Sequence, residues 1–351
     1  MKYPTNSMSA AERISRGVRV LFRAMRPRYD ELLLPEIRYT PEGFEYHTYY
    51  PRGKAIRTVM LVYGMSLAGE EDTRLLKFVR ACVNAGLRVV IPNLPGLRRF
   101  VVENGDLQRL NSIATGLSRE STEKIGLVGF STGGNYSLLL AAQPGLGEKF
   151  GPLVLFSPVY DVRDVADRIH RPVDPLPQAP RELDQAYWTQ YFIAFRNRGL
   201  LGLSKTVQFM LRKLLTDYDN YGLDEKRVFY ENYIRPLGLG GRRDLFDEGE
   251  TLDLLSARGH LSTVSSPVFI LHDASDPLVP PDHSRQMYAE LALRGAGYRQ
   301  EVLITAWLSH VVMQTTGSPF ELFQIIAFVS ELFRSHRKNG PGLALAILQR
   351  D

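Results

Sequence analysis

Short runs of consecutive apolar residues alternate with helical patterns along most of the chain. Residues 58–63 form a continuous apolar run, which is typical of a strand buried on both faces, and the next predicted buried strand is 87–91. Between them, apolar side chains recur at helical spacing over residues 75–83 and stop at Gly86. The alternation continues through predicted strands at 125–130, 153–156, 268–271 and 301–304 and helical patterns at 107–117, 136–142, 284–293 and 320–333. It predicts an α/β fold with a mostly parallel sheet covered by helices on both faces.

Two regions depart from this alternation, and they define the domain organisation. Between Val162 and Ser262 no buried parallel strand is apparent, and the segment opens with four prolines and continues through helical, aromatic sequence. We interpret it as an insertion of residues 162–262 into an α/β unit made of residues 31–161 and 263–337. Residues 1–30 precede this unit, and a short tail of residues 338–351 follows it.

The N-terminal segment has the pattern of an amphipathic helix. Ser9 with Glu12 three residues later forms a capping box, and the apolar stripe ends before Pro27. The stripe consists of Ile14, Val18, Leu21, Phe22 and Met25, and the polar face carries Arg16, Arg19, Arg23 and Arg26. Two roles stay open: the helix packs its stripe on the body, or residues 13–28 dock on a membrane surface or an acidic partner.

The charge of the chain is concentrated in this segment. The net charge is +5, and the first 30 residues alone carry seven basic and two acidic side chains. The remainder is therefore neutral overall. This distribution argues against a broad basic face for nucleic acid.

Composition and motifs limit the classes of function further. With 44% hydrophobic and 23% charged residues, the chain has the composition of a globular protein. Cys82 is the single cysteine and lies on an apolar helix face, so we expect a core residue and neither a disulfide nor a thiolate metal site within the chain. No phosphate-binding loop, zinc-ligand spacing or nicotinamide motif is present, so we predict no cofactor and no metal.

The sequence also bears on location. No apolar run approaches the ~20 residues of a membrane-spanning helix, and the N-terminus lacks the apolar stretch of a secretory signal. We expect a cytoplasmic protein, with peripheral membrane association through the basic helix left open. An Arg-rich N-terminus is also typical of mitochondrial targeting segments, and that alternative stays open as well.

The strongest chemical signal is the pentapeptide from Gly129 to Gly133, which matches Gly-x-Ser-x-Gly around Ser131. It lies between a predicted buried strand and a predicted helix. Small residues on both sides allow a turn tight enough to expose the serine hydroxyl at the strand end. We therefore predict that Ser131 is a nucleophile.

A serine needs a base, and the base needs an orienting carboxylate. His310 follows the 301–304 strand at the same sheet edge as Ser131, so we predict that it is the base. His272 and His283 are expected to be structural. Asp276 lies just beyond the 268–271 strand, where a turn can bring it to the base, with Asp273 as the competing choice.

The order Ser131, Asp276, His310 resembles that of the α/β-hydrolase superfamily, over residues 36–161 and 263–337. The resemblance implies that the insertion after the sixth strand is a helical cap over the site. It also implies an oxyanion hole formed by the backbone N–H groups of Met65 and Thr132. Many members have His-Gly where this chain has Tyr63-Gly64, so the Tyr63 hydroxyl either joins the hole or packs under the cap.

The resemblance and the triad together predict a serine hydrolase that cleaves a carboxylic ester through an acyl-enzyme. Aromatic residues of the insertion suggest an apolar acyl or alcohol group, and the pocket candidates are Tyr63, Tyr187, Trp188 and Tyr191. A thioesterase or acyltransferase would use the same triad. A peptidase is less favoured because no additional specificity domain is visible. A ligand-binding protein that keeps the fold without turnover is the alternative of another class.

Overall fold

The computed structural model describes residues 8–25, 33–121, 123–169, 175–239, 242, 251–314 and 317–334. The predicted tail of residues 338–351 lies outside the described residues, and so do Arg26 and Arg28 of the N-terminal segment.

Eight strands form one sheet in the described part of the chain. They are β1 (Glu36–Tyr39), β2 (Glu45–Tyr49), β3 (Arg57–Val62), β4 (Leu87–Pro92), β5 (Ile125–Phe130), β6 (Phe150–Phe156), β7 (Val268–Asp273) and β8 (Gln300–Thr305). The order across the sheet is β1-β2-β4-β3-β5-β6-β7-β8. The pairs β1–β2 and β2–β4 are antiparallel. The strands β3 to β8 are all parallel to one another. The predicted, mostly parallel sheet is confirmed.

The register aligns the carboxyl ends of the central strands. Phe130 of β5 pairs with Phe156 of β6, and Asp273 of β7 pairs with Thr305 of β8. Residues that follow these strands therefore meet at one sheet edge. A small hairpin of β9 (Leu308–Ser309) and β10 (Val312–Met313) follows β8 at this edge and carries His310 in its turn.

Helices cover the sheet. In chain order they are α1 (Ala10–Ala24), α2 (Thr73–Asn84), α3 (Pro95–Arg98), α4 (Asn104–Glu120), α5 (Thr132–Ala141), α6 (Val162–Ile169), α7 (Pro180–Arg196), α8 (Lys205–Thr216), α9 (Leu223–Phe229), α10 (Thr251–Leu254), α11 (Asp282–Ala292) and α12 (Pro319–Ser330). Cys82 of α2 is buried in the core as predicted, where burial raises the pKa of its thiol.

Helix α1 packs on α2 and α12. The Ser9 hydroxyl accepts the predicted capping bond from the Glu12 N–H, at 3.2 Å. A Cβ on Gly17 would lie 2.8 Å from the Ile326 carbonyl oxygen, so the two helices are in close contact. The buried residues of α1 are Gly17, Val20 and Leu21. Phe22 was predicted to lie in the apolar stripe that packs on the body, and this prediction is wrong, because Phe22 is 52% exposed. These contacts favour the packing role, and docking on a membrane or partner stays a prediction.

The insertion does not form one unit. Its flanks belong to the core of the body, because Val162, Leu252 and Leu255 pack in the same apolar cluster as the sheet. The middle has a separate core, to which α7, α8 and α9 contribute. We call residues 175–239 the cap, and this cap is narrower than the predicted insertion. No helix among the described residues is long and apolar enough to span a membrane.

Candidate active site

Ser131 lies in a sharp turn between β5 and α5. Its φ of 51° and ψ of −123° fall in a region that side-chain-bearing residues rarely adopt. Three backbone hydrogen bonds hold this conformation. The Ser131 N–H donates to the Phe156 carbonyl at 2.8 Å. The N–H groups of Gly134 and Val159 donate to the Ser131 carbonyl at 2.9 and 3.3 Å. The residue is 9% exposed. Strain of this kind concentrates at functional sites.

The glycines of the motif are required by close backbone contacts. A Cβ on Gly133 would lie 2.2 Å from the Val62 carbonyl oxygen, and one on Gly129 would lie 2.5 Å from the Gly134 Cα. A Cβ on Gly64 would lie 3.0 Å from the Ser131 Cβ. The end of β3 therefore lies directly against the turn, and side chains at these positions would push the two apart.

Asp276 and His310 are in direct contact. Asp276 Oδ2 lies 2.5 Å from His310 Nδ1, while Asp276 Oδ1 accepts the N–H groups of Leu278 and Val279 at 3.0 and 2.9 Å. Burial opposes the charged form of Asp276, but the facing His310 and the hydrogen bonds outweigh it, so the pKa of this carboxyl lies below its usual value. The carboxylate can thus orient the imidazole. The structure brings the predicted acid and base together and places Ser131 at the same sheet edge.

His272 and His283 occupy structural positions, as expected. The Ser284 hydroxyl lies 2.6 Å from His272 Nδ1, and His272 Nε2 lies 2.7 Å from the Val279 carbonyl oxygen. Burial lowers the pKa of His272 to about 4, so the ring is neutral and supports the turn that contains Asp276. His283 receives the Tyr160 N–H at Nδ1 and contacts Asp164 at Nε2, 2.9 Å away.

Asp273, the competing acid, does not contact the imidazole of His310 through a hydrogen bond. Its Oδ2 accepts the backbone N–H of His310 at 2.7 Å, and its Oδ1 accepts the Ser275 N–H at 3.0 Å. The hydroxyl of Ser157 donates to the His310 carbonyl at 2.6 Å. Ser157 was not singled out in the sequence, although its place directly after β6 at the carboxyl edge is a usable signal.

The comparisons with known proteins agree with this architecture. The family model described as the alpha/beta hydrolase family matches residues 63–314.

The chain belongs to the alpha/beta hydrolase family.

Several solved structures are similar to this chain at low sequence identity, and the TM-score of one of them reaches 0.50. The Pyrococcus furiosus esterase Pf2001 is 13% identical with a TM-score of 0.50, over 86% of this chain and 91% of the esterase. The Pyrococcus horikoshii acylaminoacyl peptidase is 15% identical with a TM-score of 0.49, over 89% of this chain and 43% of the peptidase. A Mycobacterium tuberculosis puromycin-hydrolyzing peptidase is 17% identical with a TM-score of 0.45, over 79% of this chain and 36% of the peptidase. The chain thus spans less than half the length of these peptidases. No curated protein sequence matches it significantly.

For this alpha/beta hydrolase, the predicted oxyanion donors lie beside the nucleophile turn. Thr132 is the first residue of α5, where helix geometry leaves N–H groups without partners inside the helix. Met65 follows Gly64, whose ideal Cβ position lies 3.6 Å from Ser131 Oγ. The oxyanion roles of Met65 and Thr132 remain predictions.

The Tyr63 hydroxyl is engaged away from Ser131. It accepts the Leu94 N–H at 2.8 Å and lies 3.3 Å from Glu70 Oε2. The residue is buried, and burial raises the pKa of its hydroxyl. These contacts favour the packing role over a donor role in the oxyanion hole.

The pocket candidates of the cap divide into two groups. Tyr187 and Tyr191 are buried in the core of the cap, and the Tyr191 hydroxyl donates to the Lys226 carbonyl. Their assignment to the substrate pocket stays a prediction. Trp188 is partly buried and lies 6.3 Å from the ring of Phe100, a body residue that joins the cap core. Phe100 was missed in the sequence because an isolated aromatic residue in a loop carries no periodic signal.

Two further apolar residues connect the cap to the site. Met65, in the loop after β3, and Leu278, in the turn that contains Asp276, pack against both the body core and the cap core. The cap therefore rests on the loops that hold the catalytic candidates.

Among the described residues, Glu45, His47 and Glu70 offer ligand atoms within 4.8 Å of one another, the spacing of a metal site. Their carboxylates already have protein partners: Glu70 pairs with Arg98 at 2.9 Å, and Glu45 accepts from Tyr39 and Asn93. We assign no metal to this group.

Proposed function

We propose that the protein is a serine hydrolase that cleaves a carboxylic ester. The observation that supports this most is the 2.5 Å contact between Asp276 and His310, at the same sheet edge as Ser131, whose φ is 51°. An activated serine needs this constellation of a nucleophile on an exposed turn, a base, and a carboxylate that orients the base.

In the proposed mechanism, Ser131 Oγ attacks the ester carbonyl while His310 Nε2 takes the hydroxyl proton. Asp276 accepts the Nδ1–H, which fixes the tautomer and stabilises the imidazolium. The N–H groups of Met65 and Thr132 hold the oxyanion. His310 then gives the proton to the leaving alcohol, and an acyl-enzyme forms. Water, deprotonated by His310, releases the acid and regenerates the serine.

The surroundings of the site favour an apolar acyl or alcohol group. Met65, Leu278, Phe100 and Trp188 bring apolar surface to the junction of cap and body. Apolar contact area of this kind stabilises a bound hydrocarbon chain by roughly 25 cal/mol per Å² that is removed from water. We therefore propose a small, apolar ester as the substrate, with no cofactor.

The test compares p-nitrophenyl esters of increasing acyl length with the matched thioesters and anilides. We expect ester hydrolysis whose kcat/KM rises with acyl length and a loss of at least about 10⁴-fold in Ser131→Ala. Ser112→Ala is the matched control, because Ser112 is a surface residue of α4 that bonds Glu42. Retained turnover in Ser131→Ala contradicts the mechanism. Preference for thioesters or anilides would identify a thioesterase or a peptidase instead.

A further inference from the structure

The backbone of His310 is held at both of its polar groups. Its N–H donates to Asp273 Oδ2 at 2.7 Å, and its carbonyl accepts the Ser157 hydroxyl at 2.6 Å. His310 has a φ of 53°, in the left-handed region that non-glycine residues rarely adopt. Two hydrogen bonds to buried partners offset the cost of this conformation.

The two partners are themselves linked. Ser157 and Asp273 lie at the ends of the neighbouring strands β6 and β7, and both are fully buried. The Asp273 N–H donates to the Ser157 hydroxyl at 3.3 Å. The hydroxyl thus accepts from Asp273 and donates to His310, which closes a ring of hydrogen bonds around the base.

The buried carboxylate in this ring has a cationic partner in the cap. The Arg181 guanidinium donates to Asp273 Oδ2 and to the Ser275 hydroxyl. Arg181 is the second residue of α7, and its side chain is 43% exposed, whereas the Asp273 side chain is completely buried. A buried carboxylate that loses its cation is strongly disfavoured, so the position of α7 affects the oxygen that holds His310.

We infer that Asp273 is a positioning residue through which Arg181 of the cap fixes the catalytic base. Arg181 and His310 meet at the same carboxylate oxygen, Oδ2 of Asp273. When α7 is seated on the body, Arg181 neutralises Asp273, and Asp273 holds the His310 N–H. When α7 moves away, the carboxylate loses its cation and the turn of His310 loses its anchor. The cap thereby influences the rate of the chemical step as well as access. This inference rests on the proposed function.

The principal test uses Arg181→Met, which keeps the length of the side chain and removes the charge. We expect kcat for the best p-nitrophenyl ester to fall about 10- to 100-fold, with KM within about threefold, because a base displaced by about 1 Å costs that much. Arg181→Lys should restore most of the loss. Arg285→Met is the matched control, since Arg285 is an exposed arginine of α11 that pairs with Asp282.

A double-mutant cycle tests the path through Asp273. Asp273→Asn should lower kcat to a similar extent, and adding Arg181→Met to it should cause little further loss. Asp273→Asn alters a buried group; where that variant is insoluble, the single Arg181 variants decide the question. Additive losses, a rise in KM alone, or unchanged kcat in Arg181→Met would each overturn the inference.

Two readouts separate this inference from the proposed function. The rate of Ser131 labelling by a fluorophosphonate should fall in Arg181→Met and not in Arg285→Met. Amide hydrogen exchange in the peptide that contains His310 should become faster in Arg181→Met alone. Suppose that the fluorophosphonate labels Ser131 in the wild type, and that both variants show the wild-type rates of labelling and of amide exchange. The inference then fails while the proposed function stands. If the wild type does not label, the proposed function fails and the inference with it.

Discussion

The nucleophile turn and the base turn are held in place by different physical means. Besides its backbone hydrogen bonds, Ser131 is held by excluded volume, because the surrounding glycines leave no room for a Cβ against the end of β3. His310 is held by polar contacts, because its ring bonds Asp276 and its backbone bonds Asp273 and Ser157. Both residues have a positive φ, so both turns need support from their surroundings.

This difference predicts how each turn fails. A steric arrangement tolerates changes of charge and pH but not an added methyl group. A polar arrangement tolerates small changes of shape but not the loss of a charge or a proton. Substitutions at the first turn should therefore affect folding, and those at the second should affect catalysis.

The largest effect is expected at the base turn. Asp276→Asn keeps the shape but removes the charge that orients His310, and the amide favours the wrong tautomer. We expect kcat/KM for the p-nitrophenyl ester to fall about 10³- to 10⁴-fold, with little change in melting temperature. Asp282→Asn is the matched control, because Asp282 is an exposed acid of α11. An equal loss of kcat/KM in both variants, or a loss explained by unfolding, would contradict the polar account of the base turn.

The next effect is expected at the nucleophile turn. Gly133→Ala places a Cβ 2.2 Å from the Val62 carbonyl oxygen and 2.3 Å from the Tyr63 carbonyl oxygen. Because backbone atoms cannot yield cheaply, the free energy of unfolding should fall by more than about 3 kcal/mol in urea denaturation. Gly116→Ala in α4 meets nothing within 4 Å and should be neutral or stabilising by about 1 kcal/mol. Equal stability of the two variants would contradict the steric account.

A third effect concerns the pH dependence of stability and His272, which supports the turn that contains Asp276. The pKa of His272 is about 4 in the folded protein, below the 6.5 of an unperturbed histidine. The unfolded chain therefore binds a proton first as the pH falls, and this group removes up to roughly 3 kcal/mol of stability between pH 6.5 and 4. His272→Gln should lose less stability over this range than the wild type does. If the stability of the wild type and of His272→Gln falls in parallel with pH, His272 is not the origin of the loss.

The smallest effect is expected at Tyr63, beside the nucleophile turn. Tyr63→Phe removes the hydroxyl that accepts the Leu94 N–H, so we expect a loss of about 1 kcal/mol in stability. Activity should stay within about threefold of the wild type. A 10²-fold fall in kcat would instead assign the hydroxyl to the oxyanion hole.

The body of the fold could be predicted because strands buried on both faces leave continuous apolar runs. The predicted strand at 125–130 coincides with β5, whereas β6 begins at Phe150 and not at residue 153. The early start was missed because Gly151 and Pro152 interrupt the apolar run. Local motifs likewise located Ser131 and its neighbouring glycines.

The contacts of the cap could not be predicted in the same way. Helix α7 is buried on nearly all sides from Thr189 to Phe195, so its periodicity could not distinguish a pocket face from a core face, and Tyr191 lies in the core of the cap. Arg181 and Asp273 are 92 residues apart, and neither lies in a motif that links them. Such contacts depend on how the cap docks, which a single sequence does not encode locally.

The most direct test of the central claim is the site of covalent labelling by a fluorophosphonate. Intact mass and peptide mapping identify the modified residue in the folded protein. An activated serine predicts one adduct, on Ser131, that is absent in Ser131→Ala and forms much more slowly in His310→Gln. No adduct on folded protein, or an adduct on another serine, would contradict the assignment of Ser131, Asp276 and His310 as the catalytic residues.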